Sequence, residues 1–308
     1  MDNPYDKFAV SFGIEKHMLP KPTKKIIDAY DFSLQEITGS DRDSLIIRII
    51  EKIKADKQKI ASFERSQVWE TGWAENLGLY LESKGNPKAL VPKFIRSGEP
   101  IRWLGKYCKT EDENFELNYV SVLRSYLLET YFSTVQSIYE FGAGTGFNLL
   151  HFGKLKPELK LFGTDFVKSS VQLMHEVSKK ESINLNPSLF DMINPGKSRL
   201  EIAPNSGILT FGSLEQLGSN LLPIIDYFHG QKPEICVHIE PMIELYNPLI
   251  LEDYLAAWFQ GQRGYSSGLI RCIEDFEQSG KAKVVTKQRL NFGSLMMEGY
   301  NLLVWKPT

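Results

Sequence analysis

The residues whose types and spacing most clearly indicate a ligand-binding function lie at positions 140–146. There an acid is followed by three alternating glycines, in the sequence E-F-G-A-G-T-G. A short apolar run precedes Glu140 and an amphipathic segment begins at Phe147, so the stretch predicts a buried strand that turns into a helix. Glycine tolerates left-handed backbone and the close approach of a ligand, and the turn leaves N–H groups free at the helix start. A dinucleotide-binding turn needs its third glycine at position 147, which is a phenylalanine. The spacing therefore predicts a ligand-binding loop that differs from the dinucleotide-binding turn.

Two further acids follow at the ends of the next two predicted strands. Asp165 closes the strand over residues 159–165, about 20 residues after the loop, where nucleotide-binding α/β folds place a carboxylate on ribose hydroxyls. Asp191 lies near the end of the strand over residues 187–192. A carboxylate suits the ribose because it accepts hydrogen bonds from both hydroxyls at once. Alone, Asp165 would be read as a solvent-facing acid at a helix entry, but three such acids in succession favour a nucleoside-containing cofactor.

The E-x-G-x-G-x-G register resembles motif I of class I methyltransferases that depend on S-adenosylmethionine (SAM). The resemblance implies that the loop passes under the methionine part of SAM and that Glu140 holds its amino end. It also implies that Asp165 binds the ribose and that Asp191 accepts from the adenine amino group. SAM is then the cofactor and S-adenosylhomocysteine (SAH) the product. The cofactor-binding residues implied are Glu140, Gly142, Ala143, Gly144, Gly146, Asp165, Phe166, Phe190, Asp191, Met192 and Phe211.

Acceptor-side candidates follow the fourth and fifth predicted strands, because ligands of open α/β sheets sit beyond the carboxyl ends of the strands. His238 and Glu240 are two apart on the fifth strand, so their side chains share a face. We expect His238 to be the general base that deprotonates a hydroxyl, with Glu240 orienting it or binding the acceptor. The alternative is a buried, neutral histidine. The other candidates are Glu215 as a second base, and Gln216 and Tyr246 as acceptor ligands.

The elements that position these residues predict an α/β fold. The last two predicted strands, over residues 283–292 and 300–305, have no helix between them, so they must run antiparallel. A mostly parallel sheet with one antiparallel strand near its edge resembles the methyltransferase sheet. We therefore predict a Rossmann-like seven-stranded methyltransferase sheet with helices on both faces over residues 135–308. Helices are predicted over residues 214–228 and 249–278, the second of them interrupted near its middle.

The first part of the chain, residues 1–134, predicts a mainly helical lid region that recognises the substrate. Tryptophans and leucines recur every four residues from Trp69 to Leu81, a helical stripe that favours core packing over an aromatic wall above a ligand. Prolines then predict a loop over residues 84–110. This loop is either an acceptor-recognition segment or a loop pinned to the surface by its aromatic side chains. Its aromatic and cationic residues include Phe94, Arg96, Arg102 and Trp103.

The composition is that of an ordinary globular protein, with 308 residues, 42% hydrophobic content and a formal net charge of −2. Such a balance gives no basic footprint for nucleic acid, and no apolar run approaches the roughly 20 residues that span a bilayer. Three cysteines without C-x-x-C spacing predict a reducing compartment and hence a cytoplasmic protein. The dispersed histidines predict no metal site. We expect a small-molecule acceptor as partner, and neither nucleic acid nor membrane. The sequence does not determine the oligomeric state, and a homodimer is one of the alternatives.

Segments near the closing strands, at residues 214–218, 238–241, 263–265 and 292–294, resemble a bacterial methyltransferase group that modifies sugars or surface polysaccharides. The resemblance implies O-methylation of a sugar-like acceptor, phosphorylated or nucleotide-linked. Arg102, Lys106 and Arg263 are then candidates to meet a phosphate or carboxylate, with Trp103 as a further substrate contact. The alternatives are a nitrogen or carboxylate acceptor, or a SAM-binding protein without turnover. The N/D-P-P-Y/F signature of amino-methylating nucleic-acid enzymes is missing after the fourth strand.

Overall fold

A computed structural model describes residues 3–59 and 65–308 of the chain. The α-helices in this part are α1 Pro4–Phe12, α2 Lys21–Asp28, α3 Gly39–Ala55, α4 Arg65–Glu82, α5 Phe115–Thr130, α6 Phe147–Leu155, α7 Lys168–Glu181, α8 Leu222–Gln231, α9 Leu251–Arg263 and α10 Leu269–Gln278. The strands are β1 Leu34–Glu36, β2 Ile101–Trp103, β3 Lys106–Thr110, β4 Ser137–Phe141, β5 Lys160–Asp165, β6 Leu185–Leu189, β7 Ser206–Phe211, β8 Ile235–Glu240, β9 Ala282–Gln288, β10 Phe292–Ser294 and β11 Asn301–Pro307.

The predicted seven-stranded sheet is confirmed. Its order is β6-β5-β4-β7-β8-β11-β9. Strands β4 to β8 pair in parallel, and β11 runs antiparallel between β8 and β9. The parallel strands require crossovers, which α6, α7 and α8 supply, whereas the last strands join without a helix.

This strand order creates a crevice between the carboxyl ends of β4 and β7. From β4 the chain moves outward through β5 and β6, then returns to β7 on the other side and continues to β8. The connections after β4 and β7 therefore leave in opposite directions. Open α/β sheets bind ligands at such a point, so the fold directs attention to the loops that follow these two strands.

A second, four-stranded sheet was missed by the sequence prediction. It has the order β1-β3-β2-β10 and is antiparallel throughout. The predicted loop over residues 84–110 contains β2 and β3, which are joined at Leu104 and Gly105, both with positive φ. Two such residues form a tight hairpin turn. Because β10 belongs to the later part of the chain, the regions on either side of residue 134 share this sheet, and the domain boundary there stays a prediction.

One predicted helix is broken where no break was expected, and another is divided where the sequence predicted it. The segment after β7 forms only a short 3-10 turn, Leu214–Leu217, because Gly218 leaves helical geometry with a φ of 59° before α8 begins. The long segment near the end divides into α9 and α10, with Gly264 in the left-handed conformation closing α9. That interruption was predicted, and glycine permits it.

The core joins the N-terminal region directly to the large sheet. Helix α5 is buried along most of its length and packs with α1 and β10 through aromatic side chains. The rings of Tyr119 and Phe292 stack with centroids 3.5 Å apart, and Trp103 contacts both at an edge. Because α5 leads straight into β4, this packing fixes the helix beside the candidate site.

Candidate functional site

The glycine loop between β4 and α6 has the predicted backbone. Gly142, Gly144 and Gly146 all have positive φ, at 74°, 55° and 74°. Residues with a Cβ rarely adopt this left-handed geometry, so the glycines are needed here for conformation. The backbone N–H groups of Gly142 and Ala143 both donate to the Thr164 carbonyl at 2.9 Å, which ties the loop to β5.

Glu140 lies at the end of β4 with an unused hydrogen-bonding oxygen. The side chain is 1% exposed, and its Oε1 accepts from Nδ2 of Asn148 at 2.7 Å. Its Oε2 is buried without a hydrogen-bond partner among the residues that the structure describes. Burial raises the pKa of this carboxyl to about 8, against the opposing effects of Asn148 and the Arg124 guanidinium. An unsatisfied buried carboxylate oxygen is costly, and a ligand N–H would relieve that cost.

Asp165 stands at the end of β5 as predicted, but its carboxylate binds the protein itself. Oδ2 accepts from the Gly144 N–H at 3.0 Å and Oδ1 from the Val167 N–H at 3.2 Å. Burial raises its pKa to about 6. In this conformation Asp165 therefore fastens the glycine loop. The next residue, Phe166, projects its ring into solvent and is 46% exposed.

The third strand is displaced from its predicted position. β6 ends at Leu189, so Asp191 falls in the following turn, where its carboxylate accepts from the Ile193 N–H and from Asn194 Nδ2, both at 2.8 Å. Phe190 and Met192 are buried in the core, the former edge-on to Phe141 with ring centroids 4.9 Å apart. Asp191 is exposed beside them.

Helix α4 covers the glycine loop. A Cβ on Gly144 would lie 2.8 Å from Cζ2 of Trp73, so the indole rests on the open face of that glycine. Glu70 accepts from the N–H groups of Lys168 and Ser169 at 2.8 and 3.0 Å, which caps the start of α7. Trp69 stacks on Trp73 with ring centroids 5.5 Å apart. Trp69 and Trp73 are thus half-buried beside the loop, whereas Leu77 of the same stripe packs against the core.

A cavity of about 170 Å³ lies beyond the carboxyl end of β7, and we call it the inner cavity. It is bounded by aromatic side chains and by two carboxylates. The aromatic residues are Trp69, Phe94, Phe211, Tyr265 and Tyr300, and the polar ones include Glu116, Glu215, Gln216 and Arg263. Of the sequence candidates, Phe211, Glu215, Gln216 and Arg263 are therefore brought together here.

Glu116 is the functional candidate that sequence reasoning missed. Only 5% exposed, it accepts from the Tyr300 hydroxyl at 2.8 Å through Oε1 and from the Arg96 N–H at 3.4 Å through Oε2. Burial raises its pKa. Glu116 lies in the first turn of α5, far from every motif in the sequence, and an acid there reads as an ordinary helix-start residue. Nothing in its local sequence distinguishes it.

Glu215 and Gln216 form the neighbouring polar wall. Gln216 Nε2 donates to Glu215 Oε1 at 2.7 Å, and Gln216 Oε1 is buried without a hydrogen-bond partner in the described part of the chain. Arg263 also borders the cavity, but Asp56 binds its guanidinium at 2.6 Å. The cation predicted for an acceptor anion is thus already neutralised.

The structure contradicts the assignment of His238 as the base. The ring is fully buried in β8, Trp305 Nε1 donates to its Nε2 at 2.9 Å, and Nδ1 lies 2.9 Å from the Thr210 hydroxyl. Because an indole N–H only donates, Nε2 must accept, and Nδ1 carries the proton. Burial lowers the pKa of the ring to about 3. His238 is the buried neutral histidine of the alternative interpretation.

The Glu240 carboxylate is likewise bonded within the protein. It accepts from the backbone N–H groups of Ser213 and Leu214 at 3.1 Å and of Glu215 at 3.3 Å. These bonds hold the turn that carries Glu215 into the inner cavity, so Glu240 orients a cavity residue through the backbone. Burial raises its pKa to about 7.

Three predicted substrate contacts lie away from the inner cavity, two of them buried and Tyr246 half-buried. Arg102 is 1% exposed and pairs with Asp253 at 3.0 Å and Glu298 at 3.2 Å. Trp103 is 2% exposed in the aromatic core. Tyr246 donates to the Glu298 carbonyl at 3.1 Å, and burial raises its pKa. The Arg102 and Trp103 assignments were wrong because the predicted loop there forms an inner β-hairpin, whose side chains complete a core. The Tyr246 assignment was wrong because its hydroxyl, in the turn after β8, is bonded to the Glu298 carbonyl and to Gln260.

Within residues 3–59 and 65–308, no group of three or more His, Cys, Asp or Glu side chains is arranged to hold a metal ion. Over the same residues, none of the helices combines the length and apolarity needed to cross a membrane.

Comparison with solved structures agrees with the fold. The [4+2]-cyclase SpnF matches with a TM-score of 0.50 and 10% identity, over 82% of this chain and 97% of that one. PigF with SAH matches with a TM-score of 0.47 and 12% identity, over 85% and 70% of the chains. An O-methyltransferase family 2 protein from Planctomyces limnophilus, in complex with apigenin, matches with a TM-score of 0.40 and 14% identity.

The last match covers 58% of this chain and only 52%, about half, of that protein's length. At these identities the likeness concerns the fold alone, a Rossmann-like α/β fold with a seven-stranded, mostly parallel sheet. No protein-family model matches the chain, and no curated protein matches it significantly.

Proposed function

We propose that this protein is a SAM-dependent methyltransferase that transfers a methyl group to a hydroxyl of a small polar acceptor. The observation that carries the proposal is the unpartnered, buried Oε2 of Glu140 beneath a left-handed glycine loop, at the crevice of a methyltransferase-type sheet. An ammonium group is the donor that such an oxygen lacks. SAM, when bound, supplies a methyl that is already activated, so the chain's residues contribute mainly positioning and proton removal.

The cofactor residues proposed from the sequence lie at the carboxyl edge of the sheet, and they differ in how directly each could contact SAM. Glu140 and the loop Gly142 to Gly146 offer an unused acceptor and a close-approach surface. Asp165 has spare lone pairs for ribose hydroxyls beside its two backbone bonds, and the exposed Asp191 and Phe166 are accessible to adenine. Because Trp73 rests on Gly144, binding there requires α4 to shift. Phe190, Met192 and Phe211 would then back the nucleoside side of the site.

We assign acceptor activation to the carboxylates of the inner cavity. Glu116 is the proposed base, since burial raises its pKa and a carboxylate of raised pKa is the better proton acceptor. The Tyr300 hydroxyl holds its Oε1 in place at 2.8 Å. Glu215 and Gln216, which are bonded to each other, would bind the acceptor hydroxyl. This replaces the His238–Glu240 pair with a pair of carboxylates that reach a cavity.

The aromatic walls favour an acceptor with a flat ring. Trp69, Phe211 and Tyr300 present π faces or edges that stack on an aromatic ring or on the apolar face of a sugar. The sugar-like acceptor inferred from the closing segments therefore stays within the proposal. An amine is the second candidate, because aromatic faces combined with carboxylates also recognise cations. A carboxylate acceptor is disfavoured by the two acids, and a SAM-binding protein without turnover remains the alternative to catalysis.

The proposal is tested by following SAH formation with SAM and matched panels of phenol, sugar, amine and carboxylate acceptors. We expect SAH with hydroxyl acceptors, and at least a hundredfold less with Glu116→Gln, on the order of a lost general base. The control Glu113→Gln removes an exposed acid just before α5 and leaves the rate unchanged. SAH formation only with amines would transfer the assignment to N-methylation, and SAM binding without turnover on any panel would overturn the catalytic proposal.

A further inference from the structure

A second cavity of about 410 Å³, the outer cavity, adjoins the inner one. The two share six lining residues, which are Phe94, Glu116, Arg263, Tyr265, Ser294 and Met297. A molecule that extends from one to the other therefore passes the proposed base. The inner cavity alone is smaller than the roughly 300–1,000 Å³ that small-molecule sites occupy, whereas the two together reach that range.

The outer cavity has an apolar floor and a charged rim. Phe259, Leu295 and Met296 supply apolar surface, and the ring of Phe94, at the junction with the inner cavity, is 48% exposed. Lys52 from α3 and Arg96 from the segment before β2 lie at the rim, and both are exposed. The two cations come from separate elements of the N-terminal region.

The acids that line the outer cavity are bonded to groups other than the Lys52 ammonium and the Arg96 guanidinium. Asp56 is bound by Arg263 at 2.6 Å, and Glu99 lies 3.9 Å from Arg48. Glu116 accepts from the Tyr300 hydroxyl and from the backbone N–H of Arg96, and among the described residues no bond joins it to the Arg96 guanidinium.

Neither Lys52 nor Arg96 forms an ion pair among residues 3–59 and 65–308, in contrast to the cations predicted from the sequence. Arg102 is buried in its own ion pairs, Lys106 is bonded to Glu36, and Arg263 is neutralised. An anion that enters the outer cavity thus meets two cations that have no ion-pair partner in the described part of the chain, above an apolar surface.

We infer that the outer cavity binds the anionic end, a carboxylate or a phosphate-type group, of an elongated acceptor whose hydroxyl end lies in the inner cavity. This inference rests on the proposed function for the identity of the reacting end. Lys52 and Arg96 are then specificity residues, and the apolar floor carries the body of the acceptor between its two ends. Neutral molecules of the same shape bind less well, because they leave both cations without a partner.

The test uses three probes that differ only at one end: para-hydroxyphenylacetate, para-hydroxybenzylphosphonate and the neutral para-hydroxyphenylacetamide. Binding to the full chain with SAH present is measured by ligand-observed NMR. We expect each anionic probe to bind about tenfold more tightly than the amide, or more, as charge-assisted bonds predict. The preference is expected to disappear in Lys52→Ala/Arg96→Ala. The ranking of carboxylate against phosphonate identifies the natural anion.

The matched control is Lys88→Ala/Lys109→Ala, which removes two exposed lysines away from both cavities and keeps the preference. An anionic preference that is absent, or that survives in Lys52→Ala/Arg96→Ala, overturns the inference, as does failure of both anions to bind. Methyl transfer to the probes is measured separately with SAM. Anion preference without methyl transfer removes the proposed function and leaves the anion site, so the two failures are distinguishable.

Discussion

Two buried polar clusters, one within the large sheet and one at the inner cavity, differ in one respect. In the first, His238 is enclosed between Thr210 and Trp305, and each ring nitrogen already has a partner. In the second, Glu116 is held by Tyr300 but borders a cavity. Burial lowers the pKa of His238 and raises the pKa of Glu116. A perturbed pKa therefore identifies a catalytic group only when an acceptor can reach it.

The difference has a physical basis in hydrogen-bond capacity. A neutral imidazole has one donor and one acceptor, so two bonds saturate it, whereas a carboxylate with two bonds retains lone pairs. The His238 cluster stabilises the sheet by joining β7, β8 and β11 through side chains. The Glu116 carboxylate keeps lone pairs that can accept hydrogen bonds from a ligand. Burying this acid costs free energy of folding.

The largest effect that we expect is a loss of kcat on substitution of Glu116, which would distinguish the Glu116 cluster from the His238 cluster. Glu116→Gln keeps the shape and an acceptor for Tyr300 but removes the base, so we expect kcat to fall by about 10²–10⁴-fold with little change in melting temperature. Wild-type kcat should rise with pH through a midpoint above the ordinary glutamate value of 4.5, because burial raises the pKa of Glu116. Steady-state kinetics from acid to neutral pH measure both. Retention of the rising limb in Glu116→Gln would contradict the assignment.

A smaller kinetic effect is expected at Glu215. Glu215→Gln removes a charged acceptor from the cavity wall, and loss of one charge-assisted hydrogen bond predicts a rise in KM of about tenfold with a lesser change in kcat. Initial rates over a range of acceptor concentrations separate the two constants. A fall in kcat as large as that of Glu116→Gln, with KM unchanged, would exchange the roles of the two acids.

Substitution of His238 should lower the free energy of unfolding without changing the turnover rate. His238→Ala creates a cavity and leaves Trp305 and Thr210 without partners, so we expect the free energy of unfolding to fall by about 2–4 kcal/mol. The folded variant should turn over at the wild-type rate. Urea denaturation and kinetics at a temperature well below melting measure the two quantities. A folded His238→Ala enzyme with lost activity would restore the histidine as a candidate base.

The pH dependence of stability gives the smallest and most specific signal. In the unfolded chain His238 binds a proton near pH 6.5, while in the folded protein its pKa is about 3. Its contribution is therefore complete above pH 6.5 and is lost as the pH falls toward 3, at up to about 1.4 kcal/mol per pH unit. The stability difference between wild type and His238→Ala should shrink accordingly in urea titrations. A difference that does not change between pH 7 and pH 5 would contradict the buried, neutral state.

The parts that sequence reasoning predicted well depend on local constraints. The glycine loop, the acids at the ends of β4 and β5, and the antiparallel last strands all follow from neighbouring residues and chain connectivity. The position of Glu240 at the end of β8 was also predicted, although not its role, because the three N–H groups that it accepts from belong to a distant turn.

The errors arose where distant segments meet. His238 faces Trp305 only because β11 inserts beside β8, and Arg102 is buried because β10 extends the small sheet. Glu116 reaches the cavity because α5 packs across the sheet and Tyr300 lies opposite. These contacts join residues that are tens to hundreds of positions apart, and neither periodicity nor spacing in the sequence encodes them.

The most direct test of the account is calorimetric titration of the wild type and Glu140→Gln with SAM, SAH and NADH. We expect micromolar binding of SAM and SAH to the wild type, no NADH signal, and affinity reduced about tenfold or more in Glu140→Gln, where a neutral amide replaces the carboxylate. Glu158→Gln, an exposed acid before β5, serves as the control and should bind normally. Absence of SAM and SAH binding to the folded wild type would contradict the central claim.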